Sequence, residues 1–297
     1  MGKKVLITGA NGLIGKCLFN NLLGKGYSVV GVDNNYRKGN VLDNRIIQKD
    51  CISFLKDHRN DFDYIFHFAA INGTDNFYNF PNSVLENNIQ TDLSVFKFAE
   101  SNPDTQLIYA SSSEIVADCD IIPTPEITDV NIKNIHNPRW SYRLGKIAAE
   151  NYLCNSPLNY LIVRFFNVFS ADSRSGHFLH DIIEKIKKED YFLIGPEETR
   201  SFCYIKDAID ALVNILGKIE REIINIGNDE EIKIIEAADI ISDLIFGKQI
   251  KWQFSPSKQG STLRRSPNIE KLKLIYPSYN PTTFKEAIRE ISNEIYR

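Results

Sequence analysis

The stretch that most restricts the fold of this chain lies at its amino terminus, in KVLITGANGLIGKCLFNNLLG, residues 4–24. A short apolar run ends at Thr8. Gly9, Gly12 and Gly15 follow at three-residue intervals, and Leu13, Ile14, Leu18, Leu22 and Leu23 recur at helical spacing. Lys3–Thr8 therefore reads as a strand and Gly12–Leu23 as a helix. The strand pattern returns at Tyr27–Val32, Phe62–Phe68, Gln106–Ala110 and Asn159–Phe166, with helical patterns over about 82–101 and 141–155 between the later runs. The runs are continuously apolar rather than alternating, which means burial on both faces. Strands alternating with helices in this way predict an α/β fold: a doubly wound parallel sheet, Rossmann type, with right-handed crossovers.

After Asn167 the rhythm loosens. His177–Lys188 and Ile205–Leu216 read as helices, Tyr191–Ile194 and Glu222–Gly227 as strands, and turn signals recur at Pro256, Pro267, Pro277 and Pro281. The expected organisation is a Rossmann domain over residues 1–168 and a smaller, partly interleaved carboxy-terminal lobe over 169–297, with segments near 200–228 returning to the first domain. A chain of 297 residues accommodates one large α/β domain with such a lobe. A net charge of −3 gives no footprint for nucleic acid or an acidic membrane surface. Residues 1–9 run into a strand pattern rather than a leader peptide, and no window approaches the ~18 apolar residues of a membrane helix. Cys17, Cys51, Cys119, Cys154 and Cys203 are scattered, and the histidines, His177 and His180 included, form no ligand cluster. The expectation is a cytoplasmic chain with reduced thiols and no metal site.

The glycines have a chemical reading. Gly9 permits a tight turn off the strand, Gly12 lets backbone approach a pyrophosphate, and Gly15 lets helix and sheet pack closely. The anion then sits on free N–H groups at the positive end of the helix. Asp33 ends the second strand, 24 residues beyond Gly9. A carboxylate there accepts from ribose hydroxyls and repels a 2′-phosphate, which favours NAD over NADP. Arg37 nearby would instead receive a 2′-phosphate.

A second pattern carries chemistry. Tyr142 and Lys146 share a helix face at i, i+4 in PRWSYRLGKIAAE. An ammonium beside a phenol favours phenolate, and a phenolate removes a hydroxyl proton while hydride leaves the same carbon. YASSSEI, residues 109–115, lies at the carboxyl end of a predicted strand, where open α/β sheets bind ligands. Its serines read equally as caps of the next segment.

Together these stretches resemble the extended short-chain dehydrogenase/reductases that act on nucleotide sugars, the epimerase/dehydratase/decarboxylase family. FDYIFHFAA resembles its strand ending in His-x-Ala-Ala, and RFFNVF its passage beside the nicotinamide. Asn88 matches an Asn of its long helix, but Thr91-Asp92 stands where Gly-Thr usually follows. The resemblance implies NAD on Gly9, Asn11, Gly12, Leu13, Ile14, Asp33, Asp50, Cys51, Phe68, Ala69 and Ala70, with Tyr142 and Lys146. It implies Ser112, Tyr142 and Lys146 as the catalytic triad acting at sugar C4, with Glu114 as a further catalytic group. It implies substrate contacts at Ser112, Ser113, Asn167, Arg200 and Arg265, the two arginines near the nucleotide diphosphate. Both arginines also read as ordinary surface residues.

The reaction after C4 oxidation stays open in the sequence. Simple 4-epimerases of the family often lack an acid at Glu114, and many 4,6-dehydratases carry Asp-Glu where Ser113-Glu114 stand. The Ser-Glu pairing resembles both GDP-mannose-type dehydratases and UDP-glucuronate decarboxylases; NPRWSY and the position of Arg265 resemble the decarboxylases, whereas NVFSADSRSGHF matches their segment after NTFGPR poorly. A chain that binds NAD without turnover, as a regulator, is the reading from another class. The helices near 82–101 and 141–155 carry Leu85, Ile89, Leu93, Phe96, Ile147, Ala148 and Tyr152, which serve either an intramolecular core or the family's homodimer interface. Ile71–Phe80 reads as a loop at the sugar pocket.

Overall fold

Each continuously apolar run becomes a strand of one parallel sheet. The computed structural model describes residues 2–36, 42–132, 134–257 and 260–295. The strands are β1 (Lys4–Thr8), β2 (Ser28–Asp33), β3 (Ile47–Gln48), β4 (Tyr64–His67), β5 (Gln106–Ser112), β6 (Asn159–Phe165) and a seventh, Glu222–Ile226. From one edge the order is Glu222–Ile226, β6, β5, β4, β1, β2, β3. Every pairing in this sheet is parallel. Its middle is dry: Val5, Leu6, Ile7, Ile65, Phe66, Leu107, Ile108, Leu161, Ile162 and Val163 are fully buried. That is why these runs carry no polar alternation.

The crossover helices include α1 (Leu13–Gly24), α2 (Cys51–Lys56), α3 (Thr74–Asn79), α4 (Pro81–Glu100) and α5 (Trp140–Cys154). α4 and α5 pack side by side. Two differences from the sequence reading bear on the site. β5 runs to Ser112, beyond the expected end at Ala110, which pairs Ser111 and Ser112 in register with Arg164 and Phe165 of β6. Ile71–Phe80 is only partly loop, because Thr74–Asn79 forms α3. Six residues are too few to show a helical period, and Phe77 alone anchors this helix in the interior. Pro81 then begins α4 at a position where its missing N–H costs nothing.

Beyond β6, Asn167 takes a left-handed backbone (φ 37°) that its amide secures by donating to the Ser201 carbonyl at 2.8 Å. Short strands follow. Val168–Phe169 pairs with Cys203–Tyr204, and Phe192–Ile194 with Gln253–Ser255. Thr199–Ser201 lies between Glu231–Lys233 and Arg264–Arg265, with Arg265 beside Arg200 in register. Phe169, Phe202 and Phe284 join this region to the sheet's own core cluster. Among the described residues no helix is long and apolar enough to cross a membrane, and no cluster of His, Cys, Asp or Glu is placed to hold a metal.

Candidate active site

The chain crosses from β1 to β2 on one side and from β4 to β5 on the other, so strand order reverses between β1 and β4. Open α/β sheets bind ligands at such a switch point, outside the carboxyl ends of the strands. A cavity of about 860 Å³ lies there, lined from the glycine turn to Arg265.

One half of the cavity has the form of a dinucleotide cradle. Gly9 has φ +69°, and a Cβ on it would stand 2.6 Å from the Ala69 nitrogen. A Cβ on Gly15 would run into the Gly9 carbonyl oxygen. The first turn of α1 has no side-chain cap and no acidic residue, which leaves backbone N–H groups for an anion. At the end of β2, Asp33 accepts the N–H of Asn11 at 3.0 Å and of Asn35 at 2.7 Å. Those bonds aim the carboxylate and leave it further lone pairs for hydroxyls. Gly12, Leu13, Ile14, Asp50, Cys51, Phe68, Ala69 and Ala70 line the same half. Asn11 stands just behind it, its amide on Asn35 at 3.1 Å. Asp50 also caps α2 by accepting the Ser53 N–H at 3.0 Å. Arg37 lies outside the described residues. A strand-to-helix turn that no side chain can enter, an uncapped helix end and an oriented carboxylate together fit NAD.

The other half holds the residues that the sequence singles out for proton transfer. Tyr142 stacks on Phe77 with ring centres 4.9 Å apart. Lys146, one turn along α5, is buried, and its Nζ lies 5.8 Å from the centre of the Tyr142 ring. Lys146 donates to the Tyr109 hydroxyl at 2.9 Å. Burial pushes the Lys146 ammonium below its ordinary value, while Asp92 and Glu150 act the other way. Ser112 ends β5, and its Oγ accepts the Glu114 N–H at 3.2 Å, capping a short 3-10 turn over Ser113–Val116. The same serine also lines the cavity, with Ser113 beside it.

Glu114 is the most heavily paired group in the site. The residue as a whole is 9 % exposed. It receives Arg139 through two nitrogens, Nε at 2.9 Å and Nη2 at 2.5 Å, Arg265 Nη1 at 2.7 Å, and Arg143 Nε at 3.3 Å. Burial by itself pushes the Glu114 carboxyl up, but Arg265, Arg139 and Arg143 together hold it well below the usual carboxylate range. Burial pushes the Arg265 guanidinium down to about 10, so it stays charged at neutral pH. Arg143 also pairs with Asp118.

The two arginines expected near a diphosphate thus sit differently. Arg265 is not a surface residue: it is buried on Glu114. Arg200 lines the cavity from the neighbouring strand, half-buried and paired with Glu198, with Ser261 at 3.3 Å. Asn167 lines the same wall. Arg139, Arg143, Tyr109, Asp92, His67 and Phe77 escaped the sequence reading as site residues. Arg139 had one usable signal, its position one helical turn before Tyr142.

The profile of the NAD dependent epimerase/dehydratase family matches residues 5–227. The UDP-N-acetyl-alpha-D-glucosaminuronate decarboxylase of Bacillus cytotoxicus is 28% identical over 315 residues, covering 98% of this chain and 97% of its own. UDP-glucuronic acid decarboxylase 1 of Danio rerio is 29% identical over 289 residues, 92% of this chain and 68% of that one. The solved structure of the epimerase Mth375 from Methanothermobacter thermautotrophicus superposes with a TM-score of 0.86 at 25% identity, covering 99% and 92% of the two chains.

Proposed function

Because the chain belongs to the NAD dependent epimerase/dehydratase family, we propose that it oxidises C4 of a nucleotide sugar and works through the resulting 4-keto sugar. The observation that carries this reading is that Tyr142, Lys146 and Ser112 share one cavity with the glycine cradle. Ser112 binds the C4 oxygen and Tyr142 takes its proton, as a phenolate supported by the Lys146 ammonium. NAD, when bound, supplies the hydride acceptor for that carbon. Arg200 faces the diphosphate, a match for the fork geometry of a guanidinium. Ser113 and Asn167 contact the sugar. In this reading residues 1–168 hold the cofactor and 169–297 the sugar nucleotide, with segments near 200–228 returning to the first domain, where Glu222–Ile226 joins the main sheet.

One observation favours decarboxylation of a uronate as the step after oxidation. An elimination needs an acid that protonates the leaving C6 oxygen, and the position that carries it in many 4,6-dehydratases is Ser113 here, while Glu114 is held ionised by its arginines. A uronate oxidised at C4 is a β-keto acid. It loses CO2 once negative charge can collect on the C4 oxygen, where Ser112 and Tyr142 stand. Glu114, Arg139 and Arg265 all line the cavity, two cations to one anion, which leaves that wall positive for a substrate carboxylate. Two relatives described above are named as decarboxylases of uronate sugars. Incubation with UDP-, GDP- and dTDP-sugars and uronates, read by mass spectrometry and NMR, tests both levels. Loss of CO2 is expected. Loss of water indicates a dehydratase, and unchanged mass with altered sugar signals an epimerase. No turnover of any nucleotide sugar overturns the enzyme reading.

A homodimer through α4 and α5 belongs to the same reading. Phe96 faces the protein interior, whereas Leu85, Ile89, Leu93, Ile147 and Tyr152 stay partly exposed and Ala148 is exposed. Sedimentation at micromolar concentration is expected to give twice the chain mass, and a monomer would overturn this assembly.

A further inference from the structure

Four polar side chains with no part in the mechanism above run end to end behind Lys146. Lys146 Nζ donates to Tyr109 Oη at 2.9 Å, and the Tyr109 hydroxyl donates to Asp92 Oδ2 at 2.8 Å. Asp92 Oδ1 stands 2.9 Å from His67 Nε2, and His67 Nδ1 meets Thr8 Oγ1 at 2.8 Å. The row crosses five adjacent elements, α5, β5, α4, β4 and β1, and none of its members is more than 3 % exposed.

The polarity of this row is forced. An ammonium only donates, a carboxylate only accepts, and a phenol has one proton. Tyr109 must give that proton to Asp92 and turn a lone pair to Lys146. Burial pushes the Tyr109 phenol far up, with Asp92 adding to it, so Tyr109 remains a neutral bridge. Burial likewise pushes the His67 imidazolium down, so His67 adds no lasting cation against Asp92. The other carboxylate facing Lys146, Glu150, is already paired with Arg164 at 2.7 Å. Asp92 is thus the negative end whose balancing cation is Lys146, reached through Tyr109. It is also the residue at which this chain departs from the Gly-Thr pattern of the long helix.

We infer that Asp92 and Tyr109 are positioning residues that hold Lys146 as an oriented ammonium beside Tyr142, and thereby set the pH range in which Tyr142 is a base. The inference rests on the proposed role of Tyr142. The groups that face Lys146 are Asp92 from α4, Tyr109 from β5, His67 from β4, and Tyr142 and Glu150 from α5 itself, with Arg164 of β6 behind Glu150. Without the Asp92 charge, burial on Lys146 is opposed only by Glu150, which Arg164 already pairs, so the ammonium supports phenolate less and the Tyr142 phenol rises.

The test uses the full chain with NAD bound. Phenolate absorbance is titrated in the parent, in Tyr109→Phe and in Asp92→Asn, each minus the same protein carrying Tyr142→Phe. The parent is expected to show Tyr142 titrating below an ordinary tyrosine. Both variants are expected to move that titration up by about one pH unit. The acid limb of kcat/KM should move with it, so that activity lost at pH 7 returns at higher pH while KM stays within about twofold. Tyr109→Phe keeps its ring against Phe96 and is the milder change. An unmoved Tyr142 titration in the variants, or an equal loss of rate at every pH, overturns the inference. A parent in which Tyr142 titrates as an ordinary tyrosine removes the base assignment itself, and this inference with it, so the two failures are told apart.

Discussion

Tyr142→Phe is expected to lower kcat by roughly 10²–10⁴-fold, the usual worth of a positioned general base, while leaving NAD binding within a few-fold. The substitution deletes one hydroxyl and keeps the ring. The ring makes the packing contact, stacked on Phe77 at 4.9 Å, so the local structure should survive. The glycine cradle and Asp33 lie on other elements, β1, α1 and β2, and are untouched. Product formation on the sugar nucleotide identified by the panel, together with a calorimetric NAD titration, reads both quantities. A variant that turns over at the parent rate would remove Tyr142 from the chemistry. It would also restore the reading of a chain that holds NAD without using it.

Much of this molecule is legible in its sequence, and what escapes has physical reasons. The strands of the main sheet are buried on both faces, so their apolar runs mark them to within about two residues. β3, α2 and α3 are shorter than a recognisable period, and nothing in their composition announces them. Tyr142 and Lys146 stand four residues apart on one helix, which is a local pattern. Glu114 and its arginines are not a local pattern. Arg139 is 25 residues from Glu114 and Arg265 is 151; the first arrives at the start of α5, the second on the short strand Arg264–Arg265 paired with Thr199–Ser201. The same holds for the row behind Lys146. The replacement of Gly-Thr by Thr91-Asp92 is visible in the sequence, but its partner Tyr109 is known only once α4 lies against β5.

The arginine cluster makes Glu114→Gln the most destabilising conservative change to expect. Glutamine keeps the size and one acceptor oxygen, but its amide turns donors toward a cluster that consists of donors. Arg143 retains Asp118, whereas Arg139 and Arg265 lose the carboxylate they share. Removing one partner from a buried ion cluster costs about 3–5 kcal/mol, which a urea titration at pH 7 would show as a lower midpoint with an unchanged slope. The pH dependence has a definite sign. The folded-state pKa of Glu114 is depressed, so its contribution is fully present above the unfolded carboxyl pKa of about 4.3. It is lost as pH falls from there through the folded value, so the parent and Glu114→Gln curves should begin to approach below about pH 4 and meet only once the pH passes below that folded value. A cycle with Arg265→Met separates charge from packing. If the cluster is held by mutual charge, Arg265→Met costs less in the Gln background than in the parent, with a coupling of about 0.5–3 kcal/mol. A coupling near zero would mean that Arg265 is held by its surroundings rather than by Glu114. The positive wall proposed to receive a substrate carboxylate would then exist independently of that residue.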